Sequence, residues 1–237
     1  MKKLFLNLIV GFLLCYNVIA QAENKLIFSG ISGAVNSDIS MRVLSEAYKE
    51  IGFDVKFLPL PGERALRASN SGETDGEVFR IANVQKRYKN LIPVPTPINV
   101  LEGIVFTKNK NIKVNGWNSL KPYRIGIQVG IKFVERGTKG MNRTIVDSNE
   151  QLFRMLNAGR IDIAVVAYTN GVKAIKKLGV DGIKANKPAV QVYPLYHYLN
   201  TKHSSLVNKL DAVLKKMQST GRIKEIREMI ISDISRK

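Results

Sequence analysis

The sequence predicts an α/β protein of two lobes, each a mixed, mostly parallel sheet flanked by helices. One observation is a unit that occurs twice: a helix-like run, a glycine, two residues, an aspartate and a strand-like run. Gly72 and Gly159 are 87 positions apart (159 − 72), as are Asp75 and Asp162. A second observation is that strand-like and helix-like segments alternate, as in parallel β units with helices packed on the sheet. Two similar units at this separation suggest two lobes with a cleft between them.

The N-terminus predicts export. Lys2 and Lys3 precede an apolar run from Leu4 to Ala20, and Ala20-Gln21-Ala22 has the A-x-A form of a cleavage site. Two asparagines interrupt the run, which is short for a membrane span of about 20 residues. We therefore expect residues 1–22 to be a signal peptide, cleaved after Ala22, and a periplasmic location; the alternative is an uncleaved anchor.

The only cysteine, Cys15, lies inside that apolar run. The mature chain is thus expected to have no disulfide, no thiol nucleophile and no cysteine metal site. Its two histidines, His197 and His203, form no metal-ligand cluster with other residues in the sequence. We predict neither a metal nor a cofactor.

The charge is strongly basic and unevenly distributed. The whole chain carries +18. Residues 23–105 hold 10 basic and 10 acidic side chains, residues 106–192 hold 16 and 5, and residues 193–237 hold 9 and 4. This asymmetry favours an anionic partner, unless the exported proteins of the host are simply basic. Nucleic acid is not expected, because the chain is exported and has no compact basic run with interleaved aromatics.

The first elements follow the β/α pattern. Lys25 to Ser29 is a short apolar strand, followed by the permissive loop Gly30 to Gly33. Asp38 can cap a helix with apolar residues at helical spacing, which Gly52 ends. Asp54 to Leu58 is predicted to be the second strand.

Pro61 then suits the first turn of another helix, and Thr74 to Phe79 is the third strand. Residues 91–98 contain three prolines, so they are predicted to be an extended crossing and not a central strand. Val100 to Thr107 is apolar and β-prone, and residues 108–118 are a polar surface turn.

The alternation then restarts. Tyr123 to Val129 and Thr144 to Val146 are predicted strands, with a helix near Lys132 to Arg136 between them. A helix from Ser148 to Asn157 and the strand Ile161 to Val166 follow.

Val190 to Leu199 is strand-like again, and the tail carries two amphipathic helices. Apolar stretches near 100–107 and 190–199 therefore flank the second β/α set. We expect a discontinuous first lobe of residues 23–105 plus 193–237, and a second lobe of residues 106–192.

Together these features resemble solute-binding protein family 3. The resemblance rests on the export signal, the strand–helix order, the two Gly-x-x-Asp units, the turn that ends Arg124-Ile125-Gly126-Ile127-Gln128-Val129-Gly130, and the helical tail. It implies the type II periplasmic binding protein fold, with two hinge strands and a ligand caught as the lobes close. Most such proteins feed ABC transporters, and a few relatives are sensors or enzymes. We expect this chain to be a monomer.

The carboxyl ends of strands in an open α/β sheet predict where a ligand binds. In the first lobe this indicates the loop with Ser32, the loop with Glu63 and Arg64, and Arg80 at the end of the third strand. The Arg80 guanidinium is a planar fork of donors suited to a carboxylate or phosphate, unless it pairs with Glu77.

Arg87 matches, by spacing, the arginine that holds the ligand α-carboxylate in amino-acid binders of the family. The usual threonine before it is replaced by Val84. Arg87 is otherwise a solvated residue of a basic run, and Glu63 and Arg64 are otherwise solvated at a helix start.

In the second lobe the family places a glycine and a hydroxyl residue at a helix start, where backbone N–H groups meet an anion. Here Gly130 is followed by Ile131 and Lys132, so the hydroxyl is lost and a cation enters the first turn. Lys132 is a candidate anion ligand or one more surface lysine. Tyr168 is a candidate to stack on a ligand or merely to cap a strand.

Ala167 is the main departure from the family. Amino-acid binders have an aspartate at this spacing, which receives the ligand ammonium. A buried ammonium without a carboxylate is costly, so the amino-acid interpretation is weakened unless one of four other acidic residues supplies the charge. These are Asp38, Glu63, Asp75 and Glu77.

The predicted function is therefore an exported binding protein that captures a small anionic or amino-acid-like solute and delivers it to an ABC permease. One alternative is a sensing module for a membrane signalling partner. The other is an enzyme on the same scaffold, of the dehydratase or murein-cleaving type, with a glutamate as general acid. The chain has no G-x-S-x-G or phosphate-loop motif.

Overall fold

Two hydrophobic cores joined by two long strands organise the chain. The computed structural model describes residues 24–109 and 111–236. The predicted signal peptide and its cleavage site lie outside the described residues, as does Cys15. Within these ranges no helix is both long and apolar enough to cross a bilayer.

The described strands are β1 (Lys25–Ile31), β2 (Asp54–Leu60), β3 (Gly76–Arg80), β4 (Leu91–Pro93), β5 (Asn99–Thr107), β6 (Ile125–Gln128), β7 (Arg143–Val146), β8 (Ile163–Ala167) and β9 (Lys184–Asn200). The α-helices are α1 (Val35–Glu50), α2 (Gly62–Ser71), α3 (Lys132–Gly137), α4 (Asn149–Asn157), α5 (Tyr168–Leu178), α6 (Val207–Ser219) and α7 (Arg222–Arg236). Short 3₁₀ turns cover Val84–Lys86, Trp117–Leu120 and Thr201–Leu206.

The strands form one curled mixed sheet in the order β2-β1-β3-β9-β5-β8-β6-β7, with β4 paired to β9. β1 pairs in parallel with β2 and β3, and β6 pairs in parallel with β7 and β8. β9 is antiparallel to β3, to β4 and to β5. We call the part built on β1 to β3 the first lobe and the part built on β6 to β8 the second lobe. β5 and β9 run between them as paired hinge strands.

Each lobe has its own core. In the first, Phe28 of β1 and Val78 of β3 pack with α1 and the two tail helices. In the second, the sheet is covered on both faces: Phe106 belongs to one apolar cluster and its neighbour Val105 to another. This alternation follows from the period of two of a β-strand. The two-lobed α/β prediction is confirmed.

The repeated Gly-x-x-Asp unit has the same structural role in both lobes. Oδ2 of Asp75 accepts the backbone N–H of Ile27 in β1 at 2.7 Å. Oδ2 of Asp162 accepts the backbone N–H of Arg124, just before β6, at 2.8 Å. Each aspartate therefore ties the turn before one parallel strand to the start of its neighbour, at the amino ends of the strands.

The structure differs from the predicted elements chiefly at three places. α1 begins at Val35 with Ala34 as its N-cap, so Asp38 lies in the first turn and does not cap the helix, contrary to the prediction. β9 begins at Lys184, six residues before the predicted strand, because a mostly exposed, lysine-containing segment continues the pairing with β5. α5 begins at Tyr168, directly after β8, and was not predicted. Tyr168 is thus the first residue of a helix. β4 is a three-residue strand that pairs with β9, in the proline-containing segment predicted to be extended.

Candidate ligand-binding cleft

A cavity of about 400 Å³ lies between the lobes, within the size range of small-molecule sites. Its walls come from the loop after β1, the end of β3, the turn between β6 and α3, the end of β8 and the hinge strands. The carboxyl ends of strands from both lobes therefore meet here, as expected for open α/β sheets. Two larger depressions, of about 570 and 710 Å³, lie beside Asp162 and between α5 and α7. We place the candidate site in the cavity, because strand ends of both lobes converge on it and on neither of the two larger depressions.

The wall of the cavity is mainly apolar. None of the described residues that line it is acidic. The polar side chains on the wall are Asn36, Arg80, Lys132, Arg136 and Asn170. The large apolar ones are Ile31, Leu66, Phe79, Ile81, Leu101, Ile131, Phe133, Tyr193 and Leu195.

Arg80 lines the cavity from the end of β3 and is 13% exposed. Its Nη2 donates to the carbonyl oxygen of Gly62 at 2.6 Å and lies 2.6 Å from Oε1 of Glu77. Glu77 is fully buried, and its Oε2 accepts the Ser29 hydroxyl at 3.1 Å. Burial raises the pKa of Glu77 to about 7, against the opposing effect of the Arg80 charge. The sequence left open whether Arg80 meets a ligand or Glu77; it lines the cavity and is paired with Glu77.

Lys132 and Gly130 are also on the wall. The carboxylate of Glu135, a residue of the protein itself, already accepts a hydrogen bond from each of them. Oε1 of Glu135 accepts the backbone N–H of Gly130 at 2.7 Å, and Oε2 accepts Nζ of Lys132 at 2.9 Å. These two bonds, first that from Lys132, lower the pKa of Glu135. Glu135 therefore takes the position at the Gly130 turn that the sequence assigned to a ligand anion.

Arg136 and Asn36 were not identified from the sequence, whereas Asn170 ends the range Ala167 to Asn170 that the rule of carboxyl strand ends indicates. Neither Arg136 nor Asn170 makes a side-chain hydrogen bond or ion pair with another described residue. Arg136 is four residues after Lys132, so both project from one face of α3. That spacing was the available signal for Arg136. Asn36 is in the first turn of α1, and its Oδ1 accepts Nδ2 of Asn99 at 3.4 Å.

Four residues predicted in the first lobe are absent from the cavity wall. Glu63, at the start of α2, accepts Nη2 of Arg87 at 3.1 Å and the Tyr88 hydroxyl at 2.7 Å. Arg87 is 74% exposed, and Arg64 and Ser32 are exposed as well. The structure thus brings Glu63 and Arg87 together on the surface, beside the cleft and not in it.

The end of β8 supplies Ala167 to the wall but not Tyr168. Tyr168 packs against the second-lobe core, with Nζ of Lys187 5.8 Å from the centre of its ring.

None of the four carboxylates considered as substitutes for the missing aspartate lines the cavity. Asp75 is held by Ile27 and His203, Glu77 is buried behind Arg80, and Glu63 is on the surface. Asp38 is exposed in α1, and partial burial raises its pKa against the effect of Lys173. The described wall thus has no carboxylate to receive an ammonium group. In residues 24–109 and 111–236 no three His, Asp or Glu side chains gather as a metal site.

A family model described as bacterial extracellular solute-binding proteins, family 3, matches residues 37–232. An uncharacterized protein of Shewanella oneidensis is 27% identical over 187 residues, which cover 76% of this chain and 70% of the relative.

Solved structures share the fold at low sequence identity. A histidine kinase sensor domain with similarity to periplasmic binding proteins has a TM-score of 0.66 at 16% identity, covering 89% of this chain and 97% of its own. An amino acid ABC transporter substrate-binding protein of Streptococcus pneumoniae, bound to L-arginine, has a TM-score of 0.66 at 14% identity, covering 92% and 98%. The GluR0 ligand-binding core with L-glutamate has a TM-score of 0.69 at 11% identity, covering 87% and 98%. At these identities the likeness shows the fold alone.

Proposed function

The chain belongs to the bacterial extracellular solute-binding proteins, family 3, and on that premise we propose that it captures a small anionic solute between its two lobes. The observation that carries the proposal is the cavity wall, on which three residues are cationic and none of the described ones is acidic. Arg80 is on the first lobe, and Lys132 and Arg136 are on the second. We assign residues 23–105 plus 193–237 to the first lobe and 106–192 to the second.

Capture is proposed to work by closure about β5 and β9. A ligand that contacts both walls binds the closed form more tightly than the open one and so shifts the population toward closure. Contacts already span the lobes: α5 packs against α1 and α7, and Nζ of Lys173 on α5 donates to the carbonyl oxygen of Gly33 at 3.5 Å. We propose that closure strengthens contacts of this kind.

The proposed place of action is the periplasm, after cleavage following Ala22, and the proposed acceptor is an ABC permease. The family of extracellular proteins supports an exported location. Sensing is the second candidate, supported by the likeness to a histidine kinase sensor domain. An enzyme is not favoured, because Glu77, the carboxyl with a raised pKa beside Arg80, is fully buried and does not line the cavity.

Two tryptophan variants on one helix test the site. Asn170→Trp fills the cavity from α5, whereas Lys177→Trp lies on an exposed part of the same helix, outside the cavity. Small molecules released from the protein purified from the periplasm are identified by mass spectrometry. They and a library of organic anions, amino acids and peptides are then titrated calorimetrically. We expect binding to wild type and to Lys177→Trp and its loss in Asn170→Trp. Absence of any ligand for the wild type would refute the function, and equal binding by both variants would refute the site.

A further inference from the structure

The charges on the cavity wall are almost balanced within the protein. Of the three cations, Arg80 is 2.6 Å from the carboxylate of Glu77, and Lys132 is 2.9 Å from that of Glu135. Arg136 has no ion pair with any residue of the described part of the chain. When both carboxylates are ionised, one positive charge on the wall, that of Arg136, is therefore uncompensated.

The two internal pairs differ in solvent exposure but both hold their carboxylates in place. Glu77 is fully buried and also accepts the Ser29 hydroxyl, and above its raised pKa of about 7 it is ionised and compensates the Arg80 charge. Glu135 is fixed by the Gly130 N–H as well as by Lys132, and its lowered pKa keeps it ionised at neutral pH. A dianion would have to break one of these pairs to find a second cation.

The rest of the wall fits a hydrocarbon or aromatic group. Phe79 of the first lobe, Phe133 of the second, and Tyr193 of β9 all line the cavity. The Phe133 and Tyr193 rings are 5.8 Å apart between centres, in an edge-to-face arrangement. Gly103 of β5 allows this packing, because a Cβ there would be only 2.8 Å from the Phe133 ring.

We propose that the cleft selects a monoanion with an apolar body and no ammonium group, and that Arg136 is the residue that binds its charge. This rests on the proposed solute-binding function and names its substrate class. Arg136 supplies donors for a carboxylate or another single-charged oxyanion, and the unpaired Asn170 amide adds a neutral donor and acceptor. A ligand ammonium would be desolvated on a wall without a described carboxylate. The cleft therefore discriminates against free amino acids of the same size.

The test uses calorimetric titration of the full mature chain at a pH above 7, where Glu77 is ionised. The ligands are hexanoate, phenylacetate, 3-phenylpropanoate and indole-3-acetate, and the uncharged 3-phenylpropanamide. The tightest carboxylate is then titrated into three variants of unchanged thermal unfolding: Arg136→Gln, Arg136→Lys and the control Lys139→Gln. Lys139 is exposed just beyond α3 and does not line the cavity. We expect Arg136→Gln to weaken carboxylate binding more than tenfold and Arg136→Lys to weaken it less. Lys139→Gln should stay within twofold.

Three results would overturn the inference: carboxylate binding unchanged in Arg136→Gln, 3-phenylpropanamide binding as tightly as 3-phenylpropanoate, or amino acids or dicarboxylates binding while no apolar monocarboxylate does. In all three the protein still binds a solute, so capture of a solute between the lobes stands and only the proposed class of ligand fails. If neither these probes nor the wider library binds the wild type, the proposed function itself fails.

Discussion

Oε1 of Glu77 lies 2.6 Å from Nη2 of Arg80, so the charge of the arginine at the end of β3 is matched within the protein when Glu77 is ionised. Both groups are largely buried, and the Arg80 Nε has no hydrogen-bond partner among the described residues. Because a buried charge without a partner is strongly destabilising, loss of the Glu77 side chain would leave Arg80 unpaired at the strand end on which the cleft is built. The residue that best matched an anion site in the sequence therefore contributes less free charge to the site than Arg136.

We predict that the stability of the fold depends on pH through the buried carboxyl group of Glu77. Its pKa in the folded protein is raised from 4.5 to about 7. The folded protein binds this proton more tightly than the unfolded chain does. The resulting stabilisation is complete below the pKa of the unfolded chain and is lost as pH rises through the pKa of the folded protein. We expect the free energy of unfolding of wild type, minus that of Glu77→Gln, to fall by about 3 kcal/mol between pH 4.5 and 7.5.

Denaturant titrations at half-unit pH steps measure this difference. Glu228→Gln, at an exposed pair with Lys224 3.8 Å away, is the control and should change stability by less than about 0.5 kcal/mol. A wild-type-minus-Glu77→Gln difference that is constant with pH would contradict the assignment.

Sequence reasoning predicted the lobes because both Gly-x-x-Asp units serve a backbone purpose, which is visible in spacing. The rule of carboxyl strand ends found Arg80, Gly130 and Lys132, since it depends only on strand order. It could not show that α2 turns Glu63 toward Arg87 on the surface, because that depends on helix phase and on a contact across 24 residues.

The contact of the Glu135 carboxylate with the cavity wall could not be predicted from the sequence for the same reason. Glu135 caps the Gly130 turn through a contact five residues away that only the fold of α3 creates. The length of β9 was underestimated because its first residues, from Lys184, are mostly exposed and lack an apolar alternation.

We predict that the buried imidazole of His197 stays neutral down to low pH. It is fully buried; its Nε2 accepts the Tyr48 hydroxyl at 2.9 Å, and its Nδ1 donates to the backbone oxygen of Glu77 at 2.9 Å. Burial lowers its pKa from 6.5 to about 4. Its contribution to stability is thus present above pH 6.5 and is lost as pH falls toward 4.

NMR titration of the His197 ring measures this directly. The ring signals should remain those of the neutral imidazole down to about pH 5, whereas in urea-unfolded protein the same ring should titrate near the ordinary value of about 6.5. A midpoint near 6.5 in the folded protein would show that the ring is not sealed from solvent.

We predict that position 76 tolerates only glycine, because any side chain there would clash with the neighbouring strand. A Cβ there would lie 2.2 Å from the carbonyl oxygen of Tyr198 on the paired strand β9. We expect Gly76→Ala to lower the free energy of unfolding by about 3 kcal/mol, since backbone atoms must move apart. Gly62→Ala is the matched control, because its Cβ would meet Arg80 Nη1 at an ordinary 3.5 Å and alanine favours the helix. Equal stability of the two variants in urea would refute the steric account.

We predict that Arg227 anchors helix α7 to the hinge strand β5. Its Nη1 donates to Oδ1 of Asn99 at 3.0 Å and to the backbone oxygen of Val100 at 3.2 Å, and its Nη2 pairs with Glu102. Arg227→Ala should destabilise the protein by about 1–3 kcal/mol. Lys224→Ala, whose side chain is 78% exposed on the same helix, should cost less than about 0.5 kcal/mol. Similar urea midpoints for these two variants would mean that the Arg227 bonds do not hold β5.

We infer that the cleft accepts one negative charge and that its described wall provides no carboxylate for a positive one. 3-Phenylpropanoate and L-phenylalanine test it most directly, because they share a carbon skeleton and differ by one ammonium group. Calorimetric titration of the wild-type protein with both should show at least tenfold tighter binding of 3-phenylpropanoate, since the ammonium loses its hydration on a wall without a carboxylate. Equal affinity, or tighter binding of L-phenylalanine, would contradict the account.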